Sequence, residues 1–133
     1  MNWLYQKLDA YREIDATKEV PQYVKENLNP NFEQRPYQEE ALSNFITYYE
    51  NPKIHTGKTI HTLFHMATGS GKTYIMAGLI LYLYKQGYRN FLFFVNLSQI
   101  VKKTIDNFTN QKSSKYLFSA FLSLSDSESI FLL

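Results

Sequence analysis

The sequence contains no cysteine, which excludes both a disulfide framework and a thiolate metal site. No apolar run reaches the length of a membrane span, and Met1-Asn2-Trp3-Leu4-Tyr5-Gln6-Lys7 does not read as a signal peptide. The expectation is a soluble, cytoplasmic protein with no membrane partner. An excess of charge of one sign is also missing. Fourteen Lys and Arg stand against twelve Asp and Glu, and a formal charge of +2 supports no argument for nucleic-acid binding. Internal repeats are absent. What is plentiful is aromatic: eleven Tyr and ten Phe argue for a packed globular chain and against disorder. At 133 residues, one compact domain with a core of moderate size is the most the chain allows.

The chain is organised around His61-Thr62-Leu63-Phe64-His65-Met66-Ala67-Thr68-Gly69-Ser70-Gly71-Lys72-Thr73-Tyr74-Ile75-Met76-Ala77. It reads as a buried strand, a glycine-containing turn and the first turns of a helix. Gly69 to Thr73 are the residues that a phosphate-cradling loop needs. The glycines let the backbone turn tightly, so that its N–H groups converge on a polyphosphate. Lys72 would set a cation on the outer phosphates, the Thr73 hydroxyl would ligate magnesium, and the helix adds the positive end of its dipole. Met66 stands where the general loop pattern has glycine, which narrows the family without removing the phosphate reading. Thr56-Gly57-Lys58-Thr59 repeats the Gly-Lys-Thr triplet upstream. It has no strand feeding in and no helix leading out, so it reads as a turn.

Residues 2–19 carry a helix-like pattern with Trp3, Leu4, Leu8 and Tyr11 as apolar positions. Pro21 suits the first turn of a short helix through Leu28, which Asn29-Pro30-Asn31 stops. A further helix spans about Pro36 to Tyr49, with Ala41, Leu42, Phe45, Ile46 and Tyr49 on one face, and residues 51–57 form a loop. Thr59–His65 is the expected first core strand. Lys72–Gln86 is a helix that Gly87 ends. Phe91-Leu92-Phe93-Phe94-Val95 is an unbroken apolar run, as expected of a parallel strand covered on both faces. Asn96 or Ser98 caps a last helix, to about Asn107, carrying Ile100, Val101, Ile105 and Phe108. Strand, helix, strand, helix predicts a parallel sheet with a right-handed crossover. The division expected is residues 1–50 as a helical segment, 51–118 as a partial ATPase domain and 119–133 as an atypical tail. From Tyr116 the chain is apolar and Ser-rich, lacks turn signals and ends on Ile130-Phe131-Leu132-Leu133 with nothing downstream to pair with, which reads as a chain cut short. His55, His61 and His65 have no carboxylate or thiolate partner in the pattern and are read as packed or solvent-edge residues. Lys102 and Lys103 read as a solvated face.

Three segments fall in a recognisable order: Arg35-Pro36-Tyr37-Gln38, then Met66-Ala67-Thr68-Gly69-Ser70-Gly71-Lys72-Thr73, then Phe91-Leu92-Phe93-Phe94-Val95-Asn96. In this the chain resembles the N-terminal part of a superfamily 2 helicase motor domain and, within it, the restriction (Res) subunit of type III restriction–modification enzymes, over roughly residues 20–118. The resemblance implies an α/β fold, a P-loop RecA-like parallel sheet with flanking helices, here an incomplete first motor domain preceded by N-terminal helices. It implies ATP and Mg2+ as cofactors, and double-stranded DNA and a methyltransferase (Mod) subunit as partners of the intact enzyme. Residue by residue, Gln38 would read the adenine edge, with Arg35 and Tyr37 framing that pocket. Thr68, Gly69, Ser70, Gly71, Lys72 and Thr73 would bind the phosphates and magnesium, with Lys72 and Thr73 as the catalytic pair. Asn96 and Ser98 would touch the DNA backbone, although plain helix capping explains them equally well.

The alternatives are a type I restriction motor subunit or another superfamily 2 helicase, a small P-loop kinase, and a non-catalytic remnant. The kinase predicts a loop near the N-terminus and an acidic residue ending the second strand, where Asn96 stands. The family's Asp-Glu motif has no counterpart here: Asp126-Ser127-Glu128 lacks a hydrophobic strand beside it, and the second motor domain and nuclease are absent from the chain. Phosphoryl transfer depends on positioned charges around the γ-phosphate, and part of that set is missing. The polypeptide alone is therefore expected to bind ATP weakly without turning it over. A phosphate-release assay without added subunits checks this, and turnover there would overturn the missing-charge argument.

Overall fold

The computed structural model describes residues 3–55, 59–94, 98–119 and 129–132. The chain forms two compact units, Met1–Val20 with Gln34–Ser70 and Pro21–Glu33 with Gly71–Leu133.

The first unit is helical. Its α1 (Leu4–Glu13) is shorter than the pattern over 2–19 predicts, because the backbone turns at Ile14 and Asp15 takes a left-handed φ of 54°. Asp is among the few side chains that tolerate this conformation. The long α3 (Pro36–Glu50) opens with Pro36 in its first turn and buries Gln38, Leu42, Phe45, Ile46 and Thr47. Ala41 and Tyr49, expected on the same face, are half-buried. The extended stretch after α1 is pinned to α3: Lys18 N–H donates to Thr47 Oγ1 at 2.8 Å and Ser43 Oγ donates to the Lys18 carbonyl at 2.6 Å. Arg12 reaches Asp9 at 2.9 Å and Glu40 at 2.7 Å, pairs exposed enough to contribute about 0–1 kcal/mol each. Within the predicted loop 51–57, Pro52 starts a single helical turn, α4 (Pro52–His55), which buries Ile54. Thr56, Gly57 and Lys58, the upstream repeat of the triplet, lie outside the described residues.

Thr59–His65, expected as the first core strand, forms no strand. A parallel strand exists through the ladder of a neighbour, and among the described residues no backbone hydrogen bond reaches this segment. Leu63 is 91% exposed, while Phe64 packs against Phe45 with ring centroids 6.3 Å apart. The expected sheet through 59–65 is corrected accordingly.

The second unit is built on α5 (Lys72–Lys85), whose apolar residues run almost all the way round and are mostly buried. The short α2 (Gln22–Asn27) packs along it, with Phe32 edge-on to Tyr74 at 6.2 Å and Lys85 over the Tyr23 ring. The C-terminus of α5 is a Schellman motif. Gly87 N–H donates to the Tyr84 carbonyl and Tyr88 N–H to that of Leu83, with Gly87 at φ +104°. Gly87 thus ends the helix as the sequence predicts. Arg89 lies over the Tyr84 ring at 4.2 Å and donates to the Tyr84 carbonyl at 2.8 Å.

The second apolar run forms β1 (Asn90–Phe93), with Val95 outside the described residues. It is followed by α6 (Ser98–Thr109) and β2 (Ser129–Leu132). β1 and β2 pair in parallel, Asn90 opposite Ser129 and Phe93 opposite Leu132, so the apolar end pairs with a strand upstream of it. Tyr116, Leu117, Phe118 and Ser119 are all buried. Phe118 bridges antiparallel to Leu28, Asn29 N–H donates to the Leu117 carbonyl at 3.0 Å, and Asn29 Nδ2 donates to that of Tyr116. Burial raises the Tyr116 phenol above its ordinary pKa, against the opposing pull of a Gln111 hydrogen bond.

On α6 the inward stripe is Val101, half-buried, with Thr104 and Phe108, both buried, at i, i+3 and i+7. Ile100 and Ile105, two of the apolar residues this helix carries, are 42% and 40% exposed, because they flank that stripe. Phe108 is 1% exposed and touches the rings of Phe93 and Phe118 at 5.2 and 5.8 Å. Phe108→Ala should destabilise the unit by about 3–5 kcal/mol through transfer and cavity terms. Ile105→Ala, on the exposed flank, should stay within about 0.5 kcal/mol, and urea denaturation of the two variants checks the contrast.

Candidate functional site

The turn before α5 is fixed from within. Ser70 N–H and Ser70 Oγ both donate to the Ala67 carbonyl, at 3.3 and 2.7 Å. Gly69 supplies a φ of +78° at the third position of this turn, the position that needs a left-handed residue. Gly71 is again left-handed at φ +82° and caps α5, its carbonyl accepting from Tyr74 and Ile75 N–H. Gly69 and Gly71, one residue to either side of Ser70, are both left-handed, a backbone form found in anion-binding turns. The start of α5 adds the positive end of a helix dipole.

Lys72 is exposed and Thr73 half-buried at this start. The residue types suit a polyphosphate: two left-handed glycines, a helix N-terminus, a lysine and a hydroxyl, all close together in the chain. The Thr73 hydroxyl is a hard oxygen donor of the kind magnesium takes alongside water and phosphate oxygens. Among the described residues no group of three or more His, Asp or Glu could hold a metal ion by itself.

Arg35, Tyr37 and Gln38 are brought onto Ser70. Gln38 is 5% exposed and closes half a capping box, its Oε1 accepting from Arg35 N–H at 3.0 Å. Gln38 Nε2 donates to the Ser70 carbonyl at 2.9 Å. The Tyr37 hydroxyl donates to the same carbonyl at 2.9 Å and accepts from Arg35 Nη1 at 3.0 Å. Gln38 is therefore neither a solvated residue nor a free reader: each end of its amide is engaged once, which leaves one N–H and one lone pair. Gln34, next to this group, holds a buried Nε2 without a partner among the described residues.

Of the other predicted residues, Thr68 is exposed in the turn, Ser98 is the first residue of α6, and Asn96 lies outside the described residues. His61 and His65 are exposed, as are Lys102 and Lys103.

What the sequence reading missed is a groove of about 1110 Å³ in the first unit. Its walls are Trp3 and Tyr5 beside α1, Phe45 and Tyr48 of α3, and the extended run His61–Ser70, with Arg35 and Tyr37 at the loop. The aromatics at positions 3 and 5 are the available signal; Trp3, an apolar position of the helix-like pattern over 2–19, stands at the N-cap of α1. It is 62% exposed.

A left-handed glycine turn running into a helix, preceded by an Arg-Pro-Tyr-Gln helix start, belongs to the P-loop helicase fold class, and a comparison with protein families agrees. The chain belongs to the family described as type III restriction enzyme, res subunit, which matches residues 31–130. It is 40% identical over 126 residues to the probable type III restriction-modification enzyme HindVIP Res subunit of Haemophilus influenzae. That match covers 89% of this chain and 24% of the relative, so the chain spans about a quarter of that protein's length. No solved structure matches it.

Gly69→Ala tests the loop's backbone on its own. A Cβ there would meet nothing within 4 Å, so only the left-handed φ opposes it. The expected loss is about 1–2 kcal/mol, read by thermal or urea unfolding, with Gly69→Asn losing less.

Proposed function

We propose that this chain carries the nucleotide-binding start of a type III restriction motor. Residues 69–73 take the phosphates of ATP, and the Thr73 hydroxyl holds the accompanying magnesium. The observation that carries this reading is the left-handed backbone at Gly69 and Gly71 leading directly into α5. Lys72 neutralises charge on the outer phosphates, where magnesium, when bound, would add Lewis-acid charge. Gln38 reads adenine with its remaining N–H and lone pair, and Arg35 and Tyr37 frame the base. The aromatic groove that ends at these residues supports a nucleoside there.

The parallel pairing of β1 and β2 about α6 supports a RecA-like sheet. Asn96 and Ser98 contact the DNA backbone in this reading. In the full-length enzyme the motor moves on double-stranded DNA in the cytoplasm beside a Mod subunit that reads the sequence, with ATP hydrolysis and cleavage completed by segments beyond this chain.

Lys72→Ala should weaken MgATP binding about ten- to a hundredfold, the span of one charged hydrogen bond. Calorimetry or a fluorescent ATP analogue measures it. Unchanged affinity would remove the phosphate assignment.

A further inference from the structure

We infer that Tyr37 and Gln38 are positioning residues for the phosphate loop, holding the Ser70 carbonyl so that the Gly71 N–H faces the anion. The inference rests on the MgATP reading above and deepens it, since it gives these side chains a task separate from the base.

The Tyr37 hydroxyl and Gln38 Nε2 each donate to the Ser70 oxygen at 2.9 Å. Two donors occupy both lone pairs of that carbonyl. A trans peptide is planar, with its C=O and N–H pointing in opposite directions, so fixing the Ser70 oxygen fixes the direction of the Gly71 N–H. The peptide needs such a restraint. Gly71 follows it and Gly69 lies one residue before Ser70, at φ +82° and +78°, and glycine resists rotation less than any other residue. Left to itself, the 70–71 peptide has a low barrier to flipping, and a flipped peptide presents a carbonyl oxygen to phosphate in place of an N–H.

The two donors are themselves held. Arg35 N–H donates to Gln38 Oε1 at 3.0 Å, and Arg35 Nη1 donates to the Tyr37 oxygen at 3.0 Å, which polarises the hydroxyl toward Ser70. Ser70 N–H and Oγ both bond to Ala67, closing the near side of the turn. One residue, Arg35, thereby aligns both donors on a single carbonyl.

Tyr37→Phe deletes one donor and keeps the ring of a 39% exposed side chain, so the fold is retained. In the ligand-free full chain, NMR should show the Ser70 carbonyl carbon and the Gly71 amide nitrogen moving upfield in Tyr37→Phe. Unmoved resonances overturn the inference. Titration with magnesium tripolyphosphate and with MgATP should then show the same loss for both, about three- to tenfold, as one neutral hydrogen bond allows. A loss confined to MgATP overturns the inference in favour of base recognition. Lys72→Ala, run in parallel, separates the two levels. If it weakens both ligands while Tyr37→Phe weakens neither, the clamp alone fails. If it weakens neither, the phosphate reading fails, and the resonance shifts still decide whether the clamp orients the peptide.

Discussion

The peptide joining Ser70 to Gly71 is where the demands on this chain meet. Its carbonyl accepts from Tyr37 and Gln38, its N–H belongs to a left-handed glycine, and the next residue begins α5. It is also a point at which the chain passes from one compact unit to the other. A glycine on either side of Ser70 supplies the curvature an anion-binding turn requires and gives up the stiffness a side chain would add. The hydrogen bonds from α3 return that stiffness without placing a Cβ in the concavity. Freedom in the glycines and restraint from the neighbouring helix are complementary parts of one device.

Gln38 serves two neighbours at once. An amide at the third position of a helix is a normal partner for the N-cap N–H, and Gln38 does bond Arg35 in that way. Its other end reaches Ser70, far along the chain, and this is why it is buried. The amide retains one donor and one acceptor, so capping, loop support and adenine recognition are not exclusive. Tyr37 has less room: its hydroxyl already accepts from Arg35 and donates to Ser70.

Much of the helical part was legible because helices are local. Pro36 at the start of α3, the all-round apolar composition of α5 and Gly87 beyond its end each state a boundary through chemistry within a few residues. The strands were less legible. Thr59–His65 alternates like a strand, but a strand depends on a neighbour that no local pattern guarantees, and here no ladder forms. At the other end, Ile130 to Leu132 have nothing downstream to pair with and pair upstream, with β1, which precedes them by a whole helix. On α6, four apolar residues fit two overlapping stripes, and packing chose the one through Phe108 over Ile100 and Ile105.

The candidate loop, the helix it feeds and the family they belong to were determined by the sequence alone, because Gly-Ser-Gly-Lys-Thr carries its conformational and chemical requirements within five neighbouring residues. Tertiary structure decided which side chains meet that loop, since Tyr37 and Gln38 lie more than thirty residues from Ser70 and reach it only when α3 is folded. It also decided that Tyr116 to Ser119 are core and that Leu63 is surface. Burial is a property of what lies across from a residue, and a linear sequence records only what lies beside it.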